Sequence, residues 1–188
     1  MTRLAACAAI AILAVTSEAS SLDKVLDSLD QQVRANTVYD ARYVRGGVAP
    51  ANIGTCIDVV IRAYLTIGVD LRKAVNGDIR QNRKRYRFAV PDPNIDHRRC
   101  RNTIVYMNRF WTRIGSSVRH ADLRPGDVVY WSTRNNGIAD HVGVVSRAKT
   151  AAGNWLITHH WPGQFVESAN ILDSWRVLGA YRLPTKPR

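Results

Sequence analysis

The spacing of apolar residues changes partway along the chain, and this switch limits the folds open to it. Leu22, Val25, Leu26, Leu29 and Val33 form one helical stripe; with Ser21 as cap, they predict a helix reaching about Ala35. Ile57, Val60, Ile61, Tyr64 and Leu65 predict a second helix that starts near Thr55 and stops at Gly68. Ile104, Met107, Trp111 and Ile114 predict a third from Thr103 to Ile114, with Gly115 ending it. Between the second and third, residues 69–101 read as charged and irregular, broken by Pro91 and Pro93. After Gly126 the pattern becomes short and β-rich: Asp127 to Trp131, His141 to Ser146, Trp155 to His159, and Val177 to Leu183. Helices first and strands after argue for an α+β fold, with N-terminal helices packed on an antiparallel β-sheet.

The chain has 188 residues, which suits one domain. Its start reads as a targeting signal. Thr2 and Arg3 precede an apolar run from Leu4 to Val15, and Ser17-Glu18-Ala19 offers small residues for cleavage before Ser20. Residues 1–19 are therefore expected to be a cleaved signal peptide, and residues 20–188 a single catalytic domain in the periplasm or outside the cell. No run is long enough to span a bilayer, which takes about 20 apolar residues.

The formal net charge is +12. Cleavage removes Arg3 and Glu18, one of each sign, and leaves it unchanged. A basic surface favours polyanions. An exported protein rarely meets nucleic acid, so anionic envelope polymers are the better match. The basic cluster from Arg80 to Arg87 reads as a solvated face or loop. A monomer is expected.

Cys56 and Cys100 are the cysteines left after cleavage. Cys56 falls in the first turn of the second helix. There, unpaired N–H groups and the partial positive charge of the helix end stabilise a thiolate and can hold a tetrahedral oxygen. Gly54, just before it, offers room for a substrate backbone. A nucleophilic thiol needs a base, and His141, at the start of a predicted strand, is the best-placed histidine. A third group should fix the other imidazole nitrogen; His159, at the end of the next strand, suits this role. Asp140 adjoins His141, but neighbours on a strand point to opposite faces. The competing reading is a Cys56–Cys100 disulfide in a non-catalytic envelope-binding module. His97 and Cys100 have metal-ligand spacing but lack a partner pair, so neither metal nor cofactor is expected.

Several motifs together resemble a known family. Gly54-Thr55-Cys56-Ile57-Asp58-Val59-Val60, with Arg62-Ala63-Tyr64, is similar to the nucleophile helix of NlpC/P60 cell-wall peptidases. Leu123 to Val129 resembles the turn and strand that follow in that fold, and His141-Val142-Gly143-Val144-Val145 its histidine strand. From about Thr37 to Leu183 the chain more closely resembles the family called domain of unknown function 1287, itself NlpC/P60-like. The residues that carry this include Tyr39-Asp40, Pro91 to Arg99 and Gly179-Ala180-Tyr181-Arg182. The resemblance implies a papain-like fold, a Cys56–His141–His159 site and peptidoglycan stem peptides as substrate. Two features depart from it. NlpC/P60 enzymes usually read Asp-Cys-Ser-Gly where this chain has Thr55-Cys56-Ile57-Asp58, and His160 follows His159.

The resemblance also points to Tyr43, since related enzymes place a tyrosine upstream near the oxyanion. Asp96 and Arg98 lie in a segment dense in hydrogen-bonding groups. They are candidates for gripping a substrate carboxylate, or for a structural loop tied by Asp96 to Arg98 or Arg99. Trp131 and Trp161 are candidates for a groove, Trp111 and Trp175 for the core. His120 reads as solvated. The expected activity is amide hydrolysis through a thioester. An acyltransferase or a toxin effector on the same fold would share the chemistry.

Overall fold

Residues 20–86 and 90–185 are described by the structure, a computed structural model. The stretch read as a signal, residues 1–19, and Arg87 at the end of the basic cluster lie outside them. The first apolar stripe forms helix α1 (residues 20–34), which buries Val25, Leu26 and Leu29. Helix α2 (Cys56–Leu65) begins at an extended Thr55 and is enclosed nearly all round. Ile57, Val59, Val60 and Ala63 lose all solvent contact, so packing rather than propensity holds this short helix.

Residues 69–101 are more regular than their composition suggests. Helix α3 (Leu71–Gln81) follows Asp70, whose carboxylate accepts the Lys73 N–H at 2.9 Å. Its apolar stripe is only Leu71, Val75 and Ile79, one residue per turn, diluted by charged neighbours. A single further turn, α4 (Arg83–Tyr86), and a 3₁₀ turn (Asp96–Arg98) complete the stretch. Arg80, Lys84 and Arg85 are exposed, as a solvated basic face requires.

Helix α5 (Cys100–Phe110) starts earlier and ends earlier than its pattern suggests. Trp111 closes it in an extended conformation, with its N–H still donating to the Met107 carbonyl at 2.9 Å. The apolar spacing therefore runs past the helix end, and Ile114 belongs to a strand, β3 (Thr112–Gly115).

The remaining strands are β4 (Val128–Ser132), β5 (His141–Lys149), β6 (Trp155–His160), β7 (Val166–Ala169) and β8 (Arg176–Arg182). With β3 they form one antiparallel sheet in the order β3-β8-β4-β5-β6-β7. Side chains alternate across it. Val128, Tyr130, Val142, Val144 and Tyr181 join the core with α1, α2 and α5. Val129, Trp131, Val145, Ile157 and Ala180 pack with Leu123, Ile171 and Leu172 in a second core. The α+β architecture expected from the sequence is thus present. Helix α2 lies against β5 and β6, which brings Cys56 to the histidine-bearing strands. Two short parallel strands, β1 (Val38–Tyr39) and β2 (Ile53–Gly54), set Tyr39 beside Gly54, just upstream of Cys56. Among the described residues, no helix is long and apolar enough to cross a membrane.

Candidate active site

Cys56 is the first residue of α2, and the turn before it is fixed from far along the chain. The Asp58 carboxylate accepts the Thr55 N–H at 2.7 Å and the Thr55 hydroxyl at 2.9 Å, closing the first turn onto itself. The same carboxylate takes Arg98 through Nε, at 3.1 Å to each oxygen, and through Nη2 at 2.9 Å. Nη1 donates to the Arg42 carbonyl at 2.9 Å, and Nη2 also donates to the Asp40 carbonyl at 3.3 Å. Arg98 and Asp58 are both buried. Gly54 serves this packing: a Cβ there would sit 3.0 Å from Asp58 Cβ and 3.1 Å from an Arg62 nitrogen. Its bare backbone makes room for the ion pair's carboxylate rather than for substrate.

The Cys56 Sγ lies 3.6 Å from the Cys100 Sγ, and both cysteines are free thiols, buried at the N-termini of α2 and α5. Their acidities part. The Cys100 thiol, hydrogen-bonded to Cys56, brings the Cys56 pKa down to about 5; burial opposes this, while His141 and the Val142 N–H add to it. Cys100 goes the other way, held protonated by its bond to Cys56 and by burial. The pair thus favours ionisation at Cys56, with the S–H of Cys100 as donor to its sulfur.

His141 opens β5, and its Nε2 lies 3.1 Å from the His159 Nδ1 on β6. Burial first, and then the neighbouring His141 and His160, push the His159 pKa down to about 3, so its ring is neutral. The His159 Nε2 faces Glu167 Oε1 on β7 at 3.5 Å, just beyond good hydrogen-bond range. A carboxylate there favours the proton on Nε2 of His159. That leaves its Nδ1 as acceptor for the His141 Nε2–H, and so leaves the His141 Nδ1 lone pair free toward Cys56. Strand register makes the contact possible. Gly143 pairs with His159, and a Cβ on it would lie 2.7 Å from Ile157 Cγ2 and 3.2 Å from His159 Cβ.

Aromatic rings surround His141. Trp161 and Trp175 stack at 4.9 Å, and each meets the imidazole edge-on, at 5.0 Å and 5.4 Å. Both are half-buried and present a platform beside the site. Trp131 is wholly buried and donates its indole N–H to the Leu172 carbonyl at 3.0 Å, so it belongs to the core and not to a groove. Trp175, by contrast, belongs to the site's rim as much as to the core. Trp111 is buried, as expected.

Other expectations change. Tyr43 is exposed and bonds to the loop at Asp92 and Asn94, at 3.3 Å and 2.6 Å. The tyrosine that responds to Cys56 is Tyr39: its pKa rises to about 12 through burial first and then the nearby Cys56 and Cys100. Its ring meets His160 edge-on at 5.1 Å. Asp96 and Arg98 do not wait for a substrate carboxylate. Asp96 is buried, accepting the Asp92 N–H at 2.6 Å and pairing with Arg99 at 3.1 Å, and Arg98 is committed to Asp58. Their segment is the tied structural loop.

Of the remaining histidines, His97 is buried between Gly47 O, at 2.8 Å, and Asn76 Nδ2, at 3.3 Å. His120 is half-buried, and its Nδ1 accepts the Trp155 N–H at 3.1 Å, rather than being solvated. His160 turns to the Gln164 carbonyl at 3.2 Å, leaving His159 as the partner of His141. Among the described residues, no three His, Cys, Asp or Glu side chains are grouped to hold a metal ion. Sequence reasoning missed Tyr39, Glu167 and Trp175 as site residues. Only Tyr39 carried a signal, its place in a family motif.

Residues 26–183 match the family described as "Domain of unknown function (DUF1287)". The chain is 36% identical over 166 residues to "Uncharacterized protein YijF" of Escherichia coli K12, covering 84% of this chain and 80% of that protein. Among solved structures, it is similar to a Staphylococcus aureus protein described as similar to a lipoprotein of the NLP/P60 family. The identity there is 14% and the TM-score 0.44, over 87% of this chain and 41% of that one, so the chain spans less than half of that protein's length.

Proposed function

Because the chain belongs to the DUF1287 family, whose description assigns no activity, we propose its function from the site: a cysteine hydrolase that cleaves an amide bond. One observation carries the reading. Cys56, at a helix N-terminus, is made more acidic in part by His141, whose Nε2 is engaged by His159 at 3.1 Å. That is a nucleophile, a base and an orienter in series.

The His141 Nδ1 takes the thiol proton, and the Cys56 thiolate attacks the substrate carbonyl. The oxyanion meets the Cys56 backbone N–H at the start of α2 and the Tyr39 hydroxyl, whose raised pKa keeps it a neutral donor. His141 protonates the departing amine, a thioester remains on Cys56, and water activated by His141 releases the acid and restores the thiol. Trp161 and Trp175 form a flat platform beside the reacting centre. The sequence resemblance to NlpC/P60 peptidases and the net charge of +12 favour an anionic envelope polymer, namely peptidoglycan stem peptides, and a place of action outside the cytoplasm.

The test is to incubate purified protein with peptidoglycan sacculi and defined muropeptides, following released amines and fragment masses. Turnover is expected, and Cys56→Ala should abolish it while leaving the fold intact by circular dichroism. Unchanged turnover in Cys56→Ala would sink the mechanism. Binding to sacculi without any new amine would sink the hydrolase reading.

A further inference from the structure

Cys100 has no part in the hydrolytic cycle just described, yet its sulfur touches the nucleophile's. We propose that Cys56 and Cys100 form a reversible oxidation site: a hydroperoxide oxidises Cys56, and Cys100 resolves the product into a disulfide that silences the nucleophile. The silencing rests on the hydrolase reading; the dithiol chemistry does not.

Geometry carries the proposal. The two sulfurs are 3.6 Å apart and both thiols are free. A disulfide needs about 2.05 Å, so closure takes roughly 1.5 Å of sulfur movement, within the reach of small side-chain rotations. The backbones are already locked at this approach. Arg98, two residues before Cys100, holds Asp58, two residues after Cys56, in the buried ion pair at 2.9 Å. The bond that shapes the nucleophile's turn therefore also fixes its neighbour. Both cysteines are only 7% exposed, which hinders a second protein molecule or a bulky thiol from competing for the oxidised sulfur.

The order of events follows from the difference between the thiols. The thiolate of Cys56 is the group a peroxide attacks. Its sulfur gives two electrons to the peroxide O–O bond, forming Cys56–SOH and an alkoxide or hydroxide that takes a proton from solvent and leaves as alcohol or water. The bond to a charged Cys56 that helped hold Cys100 protonated is then gone. Cys100 sulfur attacks the sulfenyl sulfur of Cys56; the S–S bond forms, the S–O bond breaks, and the departing hydroxide takes the Cys100 proton as water. An external dithiol returns both thiols by exchange. Without a resolving thiol, Cys56–SOH proceeds to sulfinic and sulfonic acids, which dithiols do not reverse.

The experiment treats reduced, desalted protein with hydrogen peroxide in graded amounts. Dimedone trapping and peptide masses under non-reducing conditions follow the products. The wild type should yield a Cys56–Cys100 cross-linked peptide, little dimedone adduct, and full recovery of both thiols with dithiothreitol. Cys100→Ala, with Cys100→Ser as a second variant should the first fold poorly, should accumulate the Cys56 dimedone adduct and then sulfinate that dithiothreitol leaves unchanged. A wild type that passes to Cys56 sulfinate without cross-linking overturns the proposal, whatever the variants do. A cross-link that forms and reverses in a protein whose reduced form cleaves no muropeptide upholds the dithiol site and overturns the hydrolase reading instead.

Discussion

On the helical side of the site, Cys56 is placed by charge; on the sheet side, His141 and His159 are placed by strand register. The helical side depends on one buried pair, Asp58 with Arg98, whose members lie 40 residues apart. Arg98 also gathers the carbonyls of Asp40 and Arg42, so it ties residues 40–42 and its own loop to the nucleophile's turn. On the sheet side, each histidine is positioned by backbone ladders and by the missing side chain of Gly143. The charge-built side concentrates its stability in one interaction, while the register-built side spreads it over many.

Removing Arg98 should therefore have the largest effect. Arg98→Met leaves Asp58 buried and unpaired, which typically costs about 3–5 kcal/mol. It should lower the midpoint of denaturant unfolding sharply and loosen Cys56, raising its alkylation midpoint. The double variant Asp58→Leu/Arg98→Met removes both charges and should regain part of the lost stability. A single variant as stable as wild type would show that the pair does not hold this side.

The sheet side should show itself in acid. His159 has a folded pKa of about 3 against an ordinary 6.5. Between those values the unfolded chain binds a proton that the folded protein does not. Its contribution is complete above pH 6.5 and is lost as the pH falls toward 3, at up to about 1.4 kcal/mol per pH unit. Unfolding free energy measured from pH 7 to 4 should fall less steeply in His159→Asn than in wild type. Parallel slopes would mean that His159 is protonated in the folded protein.

Gly143→Ala tests register directly. The new methyl meets Ile157 at 2.7 Å and crowds His159. Overpacking of this kind costs about 1–3 kcal/mol. Because the clash lies under the His141–His159 contact, turnover should drop by more than the stability loss explains. Full activity with a lowered melting temperature would place the site's precision elsewhere.

The same contrast explains what could be read from the sequence. Cys56 at a helix start, and His141 and His159 at strand ends, were legible because each sits at a boundary that local pattern marks. Register then brings the histidines together with no further information. Arg98 and Asp58 were visible as residues but not as partners, since pairing across 40 positions leaves no periodic trace. Helix α3 was hidden because one apolar residue per turn is a weak stripe among charges. Ile114 was misplaced because apolar spacing continued past the helix's hydrogen bonds. Tyr39 was passed over for Tyr43, since only the pairing of β1 with β2 shows which tyrosine lies beside Gly54.

The smallest expected effect tests how far the series extends beyond His159. Glu167 is the cross-strand partner of His159 on β7, with its carboxylate 3.5 Å from Nε2 and its side chain 47% exposed. Water screens it, so its hold on the His159 tautomer is worth about 0.2–1 kcal/mol, the range for exposed charge pairs. Glu167→Gln should thus lower kcat by about 1.4- to fivefold with KM unchanged, because the residue acts through His159 and touches no substrate. Glu167→Asp keeps the charge and should recover part of the loss. A structural role alone would lower the melting temperature and leave kcat per folded molecule intact. A change in KM instead would make Glu167 a substrate contact, and the series of side chains starting at Cys56 would end at His159.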